Sequence, residues 1–392
     1  MKFWVQYWNG SANRRTLIWA GILILGSGFL SGCATVPHEI FGIDNDQTPA
    51  ATVNGARQQR IFIATTRQPA KTRAAFYTGE RGETLSFASV DVSIPPNHQV
   101  GSLEIAKRLP PDPRKEFVVL NPQKYDASSG FVQQIDRELN KREVSDRTIL
   151  VFVHGYNTKL SSAVLRAAQF AEDANYTGVT VLFSWASRGR TVDYVYDLNS
   201  ALHARDDLLR TGNVLSGTKA TGYDILAHSM GNLLTVEAFV KAQLRGRFNR
   251  GNRIRNIILA SPDIDIDVFK KQMAVFPKNE RNFFVLISRD DKALLVSRRL
   301  AGGVNRVGAG SADELAALGV TVIDLSEVDD KGSLSHSKFA DSPEIVQLIG
   351  QRIDKGQKFD TGQPQTEIPL LGDLGATISS IASGGRVISI RQ

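Results

Sequence analysis

The chain has 392 residues, of which 42% are hydrophobic and 22% are charged, a composition that excludes disordered, collagen-like and polytopic membrane proteins. Lys and Arg exceed Asp and Glu by 47 to 40, but no block of five or six like charges occurs, so the net charge of +7 does not favour nucleic acid as a partner. The single cysteine, Cys33, excludes an intramolecular disulfide.

The first 33 residues are typical of a bacterial lipoprotein signal peptide. A basic start is followed by an apolar run of about 14 residues, Thr16 to Phe29, which is shorter than the roughly 20 residues of a membrane-crossing helix. Leu30-Ser31-Gly32-Cys33 then resembles a lipobox, in which the cysteine becomes the first mature residue and carries acyl chains. We therefore expect residues 1–32 to be removed and Cys33 to be lipidated. An uncleaved N-terminal membrane anchor is the alternative.

The residues after Cys33 predict where the mature protein resides. Ala34 stands where an aspartate would resemble an inner-membrane retention signal, so we expect the lipid anchor in the outer membrane of the cell envelope, facing the periplasm. Residues 33–57 are polar and contain proline, which indicates a lipidated tether between the membrane and the rest of the chain.

Residues 58–144 are predicted to form a β-rich N-terminal extension. Short runs of β-forming residues alternate there with Gly and Pro clusters, a pattern that does not favour regular helices between Arg60 and Leu120. The runs are Arg60–Thr66, Leu85–Ile94 and Glu116–Leu120.

Residues 145–355 are predicted to form an α/β domain with a mostly parallel sheet flanked by helices, because apolar strand runs alternate there with helix-length amphipathic segments. The predicted strands are Thr148–His154, Val179–Trp185, Tyr223–Ser229, Ile254–Ser261, Asn282–Ser288 and Thr321–Leu325. The predicted helices are Ser161–Asn175, Asp193–Leu215, Gly231–Arg245, Asp267–Phe276, Ala293–Leu300, Ala312–Leu318 and Pro343–Ile353. The remaining tail, residues 356–392, has no assigned role.

A candidate nucleophile lies between a predicted strand and a predicted helix, in Ala227-His228-Ser229-Met230-Gly231. This arrangement is typical of a nucleophile elbow, whose usual pattern is Gly-x-Ser-x-Gly and whose sharp turn needs small residues two positions before and after the serine. Ala227 replaces the first glycine, a departure of one methyl group. We predict Ser229 as the nucleophile, with a buried structural serine as the alternative.

A serine needs a base and an acid, which in α/β-hydrolases follow it in the order acid, then histidine. His336 is the only histidine after Ser229, so we predict it as the base, the alternative being a surface-loop histidine. Two adjacent carboxylates, Asp290 and Asp291, follow an apolar strand, and we favour Asp291 because it lies three residues after the small Ser288. Asp263 is the third candidate, although it could instead cap the helix near Asp267.

Two backbone N–H groups are predicted to form an oxyanion hole for a tetrahedral intermediate. One belongs to Met230, which follows the nucleophile, and the other to Tyr156, which follows His154-Gly155 after an early strand. His154 and His228 are predicted to brace the structure, because chain order places the base near the C-terminus. The remaining histidines lack metal-ligand spacing and the glycine-rich segment 302–310 lacks a dinucleotide-binding context, so neither a metal nor a cofactor is predicted.

The motifs together resemble a bacterial group of α/β-hydrolase-fold proteins known as domain of unknown function 900. The resemblance spans roughly residues 58–350 and depends on several segments in combination: Arg60-Ile-Phe-Ile-Ala-Thr-Thr-Arg, Val92-Ser-Ile-Pro-Pro-Asn-His, Val153-His-Gly-Tyr-Asn-Thr, Phe183-Ser-Trp, Ala227-His-Ser-Met-Gly-Asn and Ala260-Ser-Pro-Asp-Ile-Asp. It implies the α/β-hydrolase fold and a serine esterase or lipase-like activity.

The sequence therefore predicts a membrane-anchored serine hydrolase that acts on an acyl ester or lipid-like substrate, with Ser229, His336 and Asp291 as its triad. The alternative is a non-catalytic binding or assembly lipoprotein that retains the fold, because fold alone does not establish function.

Overall fold

The computed structural model describes residues 36–329, 334–354, 368–369, 375–380 and 385–391. These residues belong to one compact unit. The predicted signal peptide, the lipidation site Cys33 and most of the tail between residues 355 and 374 lie outside the described residues. No helix in the described part of the chain is long and apolar enough to span a bilayer.

A sheet of twelve strands forms the centre of the molecule. The strands are β1 (Arg57–Pro69), β2 (Tyr77–Ile94), β3 (Val118–Tyr125), β4 (Thr148–Val153), β5 (Val179–Ser184), β6 (Gly222–His228), β7 (Ile254–Ala260), β8 (Phe283–Ile287), β9 (Thr321–Glu327), β10 (Ile368–Pro369), β11 (Gly375–Ser380) and β12 (Arg386–Arg391). Their order across the sheet is β10-β11-β12-β9-β8-β7-β6-β4-β5-β1-β2-β3. The strands from β12 to β1 pair in parallel, and antiparallel strands extend both sides.

Helices cover both faces of this sheet. They are α1 (Ser128–Leu139), α2 (Leu160–Asp173), α3 (Tyr194–Ser216), α4 (Met230–Leu244), α5 (Ile266–Ala274), α6 (Lys292–Leu300), α7 (Ala312–Ala316), α8 (Lys338–Asp341) and α9 (Pro343–Asp354). Alternate residues of β4 pack against the helices on opposite faces of the sheet. Leu150 and Phe152 lie in one apolar cluster with α2 and α9. Ile149 and Val151 lie in the other, with α3 and α4. The sheet is therefore buried on both faces, as its unbroken apolar strands predict.

The predicted fold class is confirmed. The predicted strands and helices of residues 145–355 all form, with ends that differ from the prediction by no more than two residues. The sheet also extends beyond that segment on both sides. β1 lies between β5 and β2 in the same sheet, and β12 from the tail pairs in parallel with β9. The β-rich extension and part of the tail thus complete the sheet of the α/β domain.

The segment predicted as a tether packs against the domain over its described residues, starting at Val36. Val36, Ile40 and Phe41 are buried in the main apolar core, and the Phe41 ring lies 5.3 Å from that of Phe76. Gly42 donates its N–H to the Val119 carbonyl of β3 at 2.8 Å. These residues pack on the domain although the segment is polar in composition. Burial of each apolar side chain lowers the free energy of the folded state, whatever the polarity of its neighbours in the chain.

A buried histidine joins the loop after β2 to α2. His98 Nδ1 lies 2.8 Å from Glu104 Oε2, and His98 Nε2 lies 2.7 Å from Asp173 Oδ1. Asp173 also accepts a hydrogen bond from the Gly101 N–H at 2.8 Å. Burial opposes protonation of this imidazole, but the hydrogen bonds and charges of the two carboxylates raise the pKa of His98 to about 9.

Replacing His98 with glutamine should change the pH dependence of stability. Folding raises the pKa of His98 from about 6.5 in the unfolded chain to about 9, so protonated His98 stabilises the folded state. This stabilisation is complete below pH 6.5 and is lost as the pH rises through about 9. We expect the free energy of unfolding of the wild-type chain to fall by about 3 kcal/mol across that window. His98→Gln should reduce this fall, measured by urea unfolding at several pH values. An identical pH dependence in the variant would contradict the assignment.

Candidate active site

Ser229 occupies a strained turn between β6 and α4. Its backbone angles are φ 53° and ψ −125°, a conformation that is costly for a residue with a side chain. Gly231 makes the turn possible, because a Cβ atom there would lie 2.4 Å from the carbonyl oxygen of His154. The Asn232 amide steadies the turn by donating to the carbonyls of Ser229 at 3.0 Å and Ala260 at 2.8 Å. This is the geometry of a nucleophile elbow.

The loop after β4 lies directly against this serine. A Cβ atom at Gly155 would lie 2.7 Å from the Ser229 Cβ, so only glycine permits this approach. The N–H groups predicted as an oxyanion hole, those of Tyr156 and Met230, donate to no protein acceptor among the described residues. In contrast, the neighbouring Asn157 N–H donates to Asp197 Oδ2 at 3.1 Å.

His336 and Asp291 form a hydrogen-bonded pair at the same edge of the sheet. His336 Nδ1 lies 2.7 Å from Asp291 Oδ2, and the Asp291 side chain is fully buried. Asp291 Oδ1 accepts from the Leu294 N–H at 3.0 Å and thereby caps α6. The two carboxylate oxygens have separate partners, which fixes the direction in which the carboxylate faces the imidazole.

The environment of His336 favours its protonated form. Burial lowers the pKa of His336, but the charge and hydrogen bond of Asp291, with a further contribution from Asp263, outweigh burial and raise it above the ordinary value of 6.5. His228 supports the same loop. Burial first, and then the charge of His336, hold the pKa of His228 far below its usual range, so His228 is neutral and donates from Nε2 to the His336 carbonyl at 3.0 Å.

The structure brings Ser229 and His336 to one edge of the sheet without a direct bond. The ring of His228, which precedes Ser229 in the chain, lies 4.7 Å from the ring of His336. No hydrogen bond between Ser229 Oγ and the His336 imidazole is found among the described residues. In enzymes without bound substrate, the hydrogen bond between a nucleophile and its base is often long and shortens only in the substrate complex.

The two other acid candidates have different partners. Asp290 accepts from Lys338 Nζ at 2.9 and 3.0 Å. Asp263 accepts from Ser297 Oγ at 2.6 Å, and Arg306 Nε lies 3.2 Å from it. The interpretation of Asp263 as a helix cap is wrong, because Asp265 is the residue that caps α5.

A buried arginine organises the loop that carries the candidate oxyanion donor. Arg67, at 1% exposure, donates to Ser184 Oγ at 2.8 Å and to the carbonyls of Ser187 at 2.7 Å and Thr158 at 2.8 Å. Its Nη2 also lies 3.3 Å from His154 Nε2. Burial lowers the pKa of Arg67, and the charge of Asp197 partly offsets that effect. The loops after β4 and β5 are thus joined through one side chain.

His154 is held neutral in this network. Burial, followed by the charge of Arg67, lowers the pKa of His154 to about 3. Its Nδ1 donates to the Gly155 carbonyl at 2.9 Å, and its ring stacks on that of Trp185 at 5.1 Å. His154 therefore braces the loop and is not placed to act as a base. Arg67 ends the segment Arg60-Ile-Phe-Ile-Ala-Thr-Thr-Arg, but no neighbouring residue predicts that its side chain is buried.

Replacing Arg67 with methionine should misplace the loop of residues 154–158. Small displacements of catalytic groups cost up to about 10²-fold in rate, so we expect a decrease in kcat of that order. Arg81→Met is the matched control, since Arg81 lies opposite Arg67 on β2 and is exposed. Equal kcat values for the two variants, measured below the melting temperature of each, would contradict a role for Arg67 in positioning.

Comparison with known proteins places this chain in a family. A family model described as alpha/beta hydrolase of unknown function (DUF900) matches residues 129–352. No curated protein matches the chain. Among solved structures, a monoclinic form of a Pyrobaculum calidifontis esterase is similar at 12% identity and a TM-score of 0.34, covering 58% of this chain and 93% of the esterase. No group of three or more His, Cys, Asp or Glu side chains in the described ranges could hold a metal ion.

Proposed function

Because the chain belongs to the DUF900 family of alpha/beta hydrolases, we propose that it is a serine hydrolase that cleaves acyl esters through Ser229, His336 and Asp291. The observation that carries this proposal is the 2.7 Å hydrogen bond between His336 and the buried Asp291, at the edge of the sheet where Ser229 occupies a strained elbow. The three residues also follow one another in the chain order Ser, Asp, His that is typical of α/β-hydrolase triads.

The proposed reaction proceeds by acyl transfer. His336 Nε2 takes the proton of Ser229 Oγ as this oxygen attacks the ester carbonyl, and the carbonyl electrons move to oxygen. The N–H groups of Tyr156 and Met230 stabilise that oxyanion. When the tetrahedral intermediate collapses, His336 gives the proton to the departing alcohol. Water then attacks the acyl-enzyme by the same steps, releasing the acid and restoring Ser229.

The Asp291 carboxylate has two tasks in this scheme. Its hydrogen bond to Nδ1 keeps the proton of the neutral imidazole on that nitrogen, which leaves Nε2 free to accept the serine proton. Its negative charge also stabilises the imidazolium that forms during attack. The alternative acid Asp290 lies beside Lys338, whose positive charge already neutralises it.

The test of this proposal is hydrolysis of esters by the purified full chain. A panel of p-nitrophenyl esters with acyl chains of increasing length measures kcat/KM and identifies the preferred acyl length. We expect turnover by the wild-type chain and none by Ser229→Ala. A wild-type chain that is inert toward esters, thioesters and amides alike would overturn the proposal and favour a binding protein that retains the fold.

The pH profile of kcat/KM should rise through the pKa of His336, because only the neutral imidazole accepts a proton. Since Asp291 raises that pKa, we expect the midpoint of the rise above pH 6.5. Asp291→Asn removes the negative charge and leaves burial as the main effect, so the midpoint of its residual activity should move below that of the wild-type chain. An unchanged midpoint would contradict the assignment of this limb to His336.

The N-terminal sequence supports a second part of the proposal, namely that Cys33 carries a lipid that holds the protein at the outer membrane. Mass spectrometry of the protein isolated from bacterial membranes tests it directly. We expect the first residue to be Cys33 with a mass increase corresponding to acyl chains. An unmodified Cys33, or a chain that still begins before it, would contradict lipidation.

A further inference from the structure

Exposed apolar side chains lie on three segments at the edge of the sheet that carries the candidate active site. Two lie in and after the 3₁₀ turn Thr191–Asp193 that follows β5, three lie on α6, and one lies in the loop before His336. Since β5, β8 and β9 are parallel, the segments that follow them lie at the same edge of the sheet as Ser229. We call these six residues the apolar rim: Val192 (79% exposed), Val195 (68%), Leu295 (43%), Val296 (54%), Leu300 (61%) and Leu334 (41%).

Hydrogen bonds join the segments of the apolar rim to one another. The Tyr194 hydroxyl, beside Val192 and Val195 in the chain, lies 3.0 Å from Ser297 Oγ of α6. The Lys292 N–H at the start of α6 donates to the Leu334 carbonyl at 3.0 Å. The segments that carry the rim residues are therefore neighbours in the fold.

The apolar rim is also joined to the loop of the candidate oxyanion hole. The Tyr156 hydroxyl donates to the Thr191 carbonyl, and the rings of Tyr156 and Tyr194 meet edge to face at 5.2 Å. The rim segment after β5 thus contacts the side chain of Tyr156, whose backbone N–H is one of the candidate oxyanion donors.

α6 has the pattern of an interfacial helix. Leu294 and Ser297 face the protein and are buried, while the outer side carries three rim residues together with Arg298 and Arg299. Neither arginine forms an ion pair among the described residues. An exposed helix side that combines apolar residues with uncompensated positive charge fits the boundary of a bilayer that contains anionic lipid.

The start of the described chain lies near the same edge. Val36 lines a small apolar cavity with Leu165 of α2, the helix that begins directly after the loop of Tyr156. The Phe41 N–H donates at 3.0 Å to the carbonyl of Ala74, in the turn that follows β1 and therefore lies at the same edge of the sheet. Three residues from Cys33 to Val36 reach at most about 11 Å, so a lipid on Cys33 would keep this part of the protein close to the bilayer.

We propose that the apolar rim, with Arg298 and Arg299, docks the protein on a bilayer containing anionic lipid, so that the candidate active site faces the membrane. The docking itself is independent of the chemistry of Ser229. Its consequence for substrate choice rests on the proposed function: an acyl chain leaving the bilayer beside the rim would reach Ser229 without crossing open water. Apolar side chains in such an interface enter the headgroup region by about 5–10 Å.

The test compares two cysteines introduced one at a time into the full chain. Val296→Cys on the rim and Val144→Cys on the opposite edge are exposed to similar extents, 54% and 62%. Each variant is labelled with the environment-sensitive fluorophore NBD and reconstituted into vesicles of phosphatidylethanolamine and phosphatidylglycerol. The wild-type chain, labelled in parallel, gives the background from Cys33. Thermal melting in detergent verifies that both variants are folded.

We expect the fluorophore at position 296 to shift its emission to the blue and to be quenched by nitroxide-labelled lipids, whereas the fluorophore at position 144 responds as in water. Replacing phosphatidylglycerol with phosphatidylcholine, or introducing Arg298→Glu and Arg299→Glu, should decrease quenching at position 296. Equal quenching at the two positions, or none at position 296, would overturn the proposal. Because the readout requires no turnover, an inert Ser229 would contradict the proposed function and leave this result unaffected.

Discussion

Replacing Ser229 with alanine is expected to lower kcat for the best ester substrate by about 10⁶-fold, the scale of loss when the nucleophile of a triad is removed. The large effect follows because no other group can form the acyl-enzyme. Residual hydrolysis would come only from binding and from the oxyanion donors. The fold should persist, since the side chain removed is small and the strained turn depends on Gly231 and Asn232.

Ser261→Ala is the matched control for this variant. Ser261 is also buried, lies at the end of the next strand, β7, and has a positive φ of 44°. We expect its kcat to remain within about tenfold of the wild-type value, since the Ser261 hydroxyl forms no hydrogen bond with Ser229, Asp291 or His336 in the described part of the chain. Steady-state kinetics and melting temperatures of both variants measure the difference. A fully active Ser229→Ala chain would exclude Ser229 as the nucleophile.

Asp291→Asn is expected to lower kcat by about 10⁴-fold. Asparagine retains the shape and can still cap α6 by accepting from the Leu294 N–H, so the helix should form. The NH2 group of the asparagine, however, would direct a hydrogen-bond donor at His336 Nδ1. The proton of the neutral imidazole would then move to Nε2, the nitrogen that has to accept the serine proton.

Asp290→Asn is the control that distinguishes the two neighbouring carboxylates. This change removes the negative partner of the buried Lys338, so the free energy of unfolding should fall. Activity per folded molecule should stay within about tenfold of wild type, because Asp290 does not contact His336. If Asp290→Asn lost more activity than Asp291→Asn in the same assay, the identity of the triad acid would be wrong.

Much of the fold could be predicted because the strands of the central sheet are apolar throughout and alternate with amphipathic helices. Chain order limited the candidate base to His336, since no other histidine follows Ser229. The choice between Asp290 and Asp291 was harder. Adjacent residues in a loop differ only in the direction of their side chains. In the structure, one carboxylate oxygen of Asp291 caps α6 and the other contacts His336.

Features that depend on distant parts of the chain could not be predicted. Arg67 contacts loops about 90 to 120 positions away, and no local pattern marks an arginine that will be buried. The packing of Val36 and Phe41 was missed because isolated apolar residues in a polar segment have no periodicity. β12 was missed because its pairing with β9 is a contact between distant parts of the chain, which no local pattern indicates.

The proposed triad can be tested by covalent labelling of the full chain with a fluorophosphonate probe, followed by mass spectrometry of its peptides. Such probes react with a serine only when a neighbouring base activates its hydroxyl. The proposed triad predicts one phosphonylated residue, Ser229, and no labelling in Ser229→Ala or His336→Ala. A wild-type chain that remains unlabelled, or a label on Ser229 that persists in His336→Ala at the wild-type rate, would contradict it.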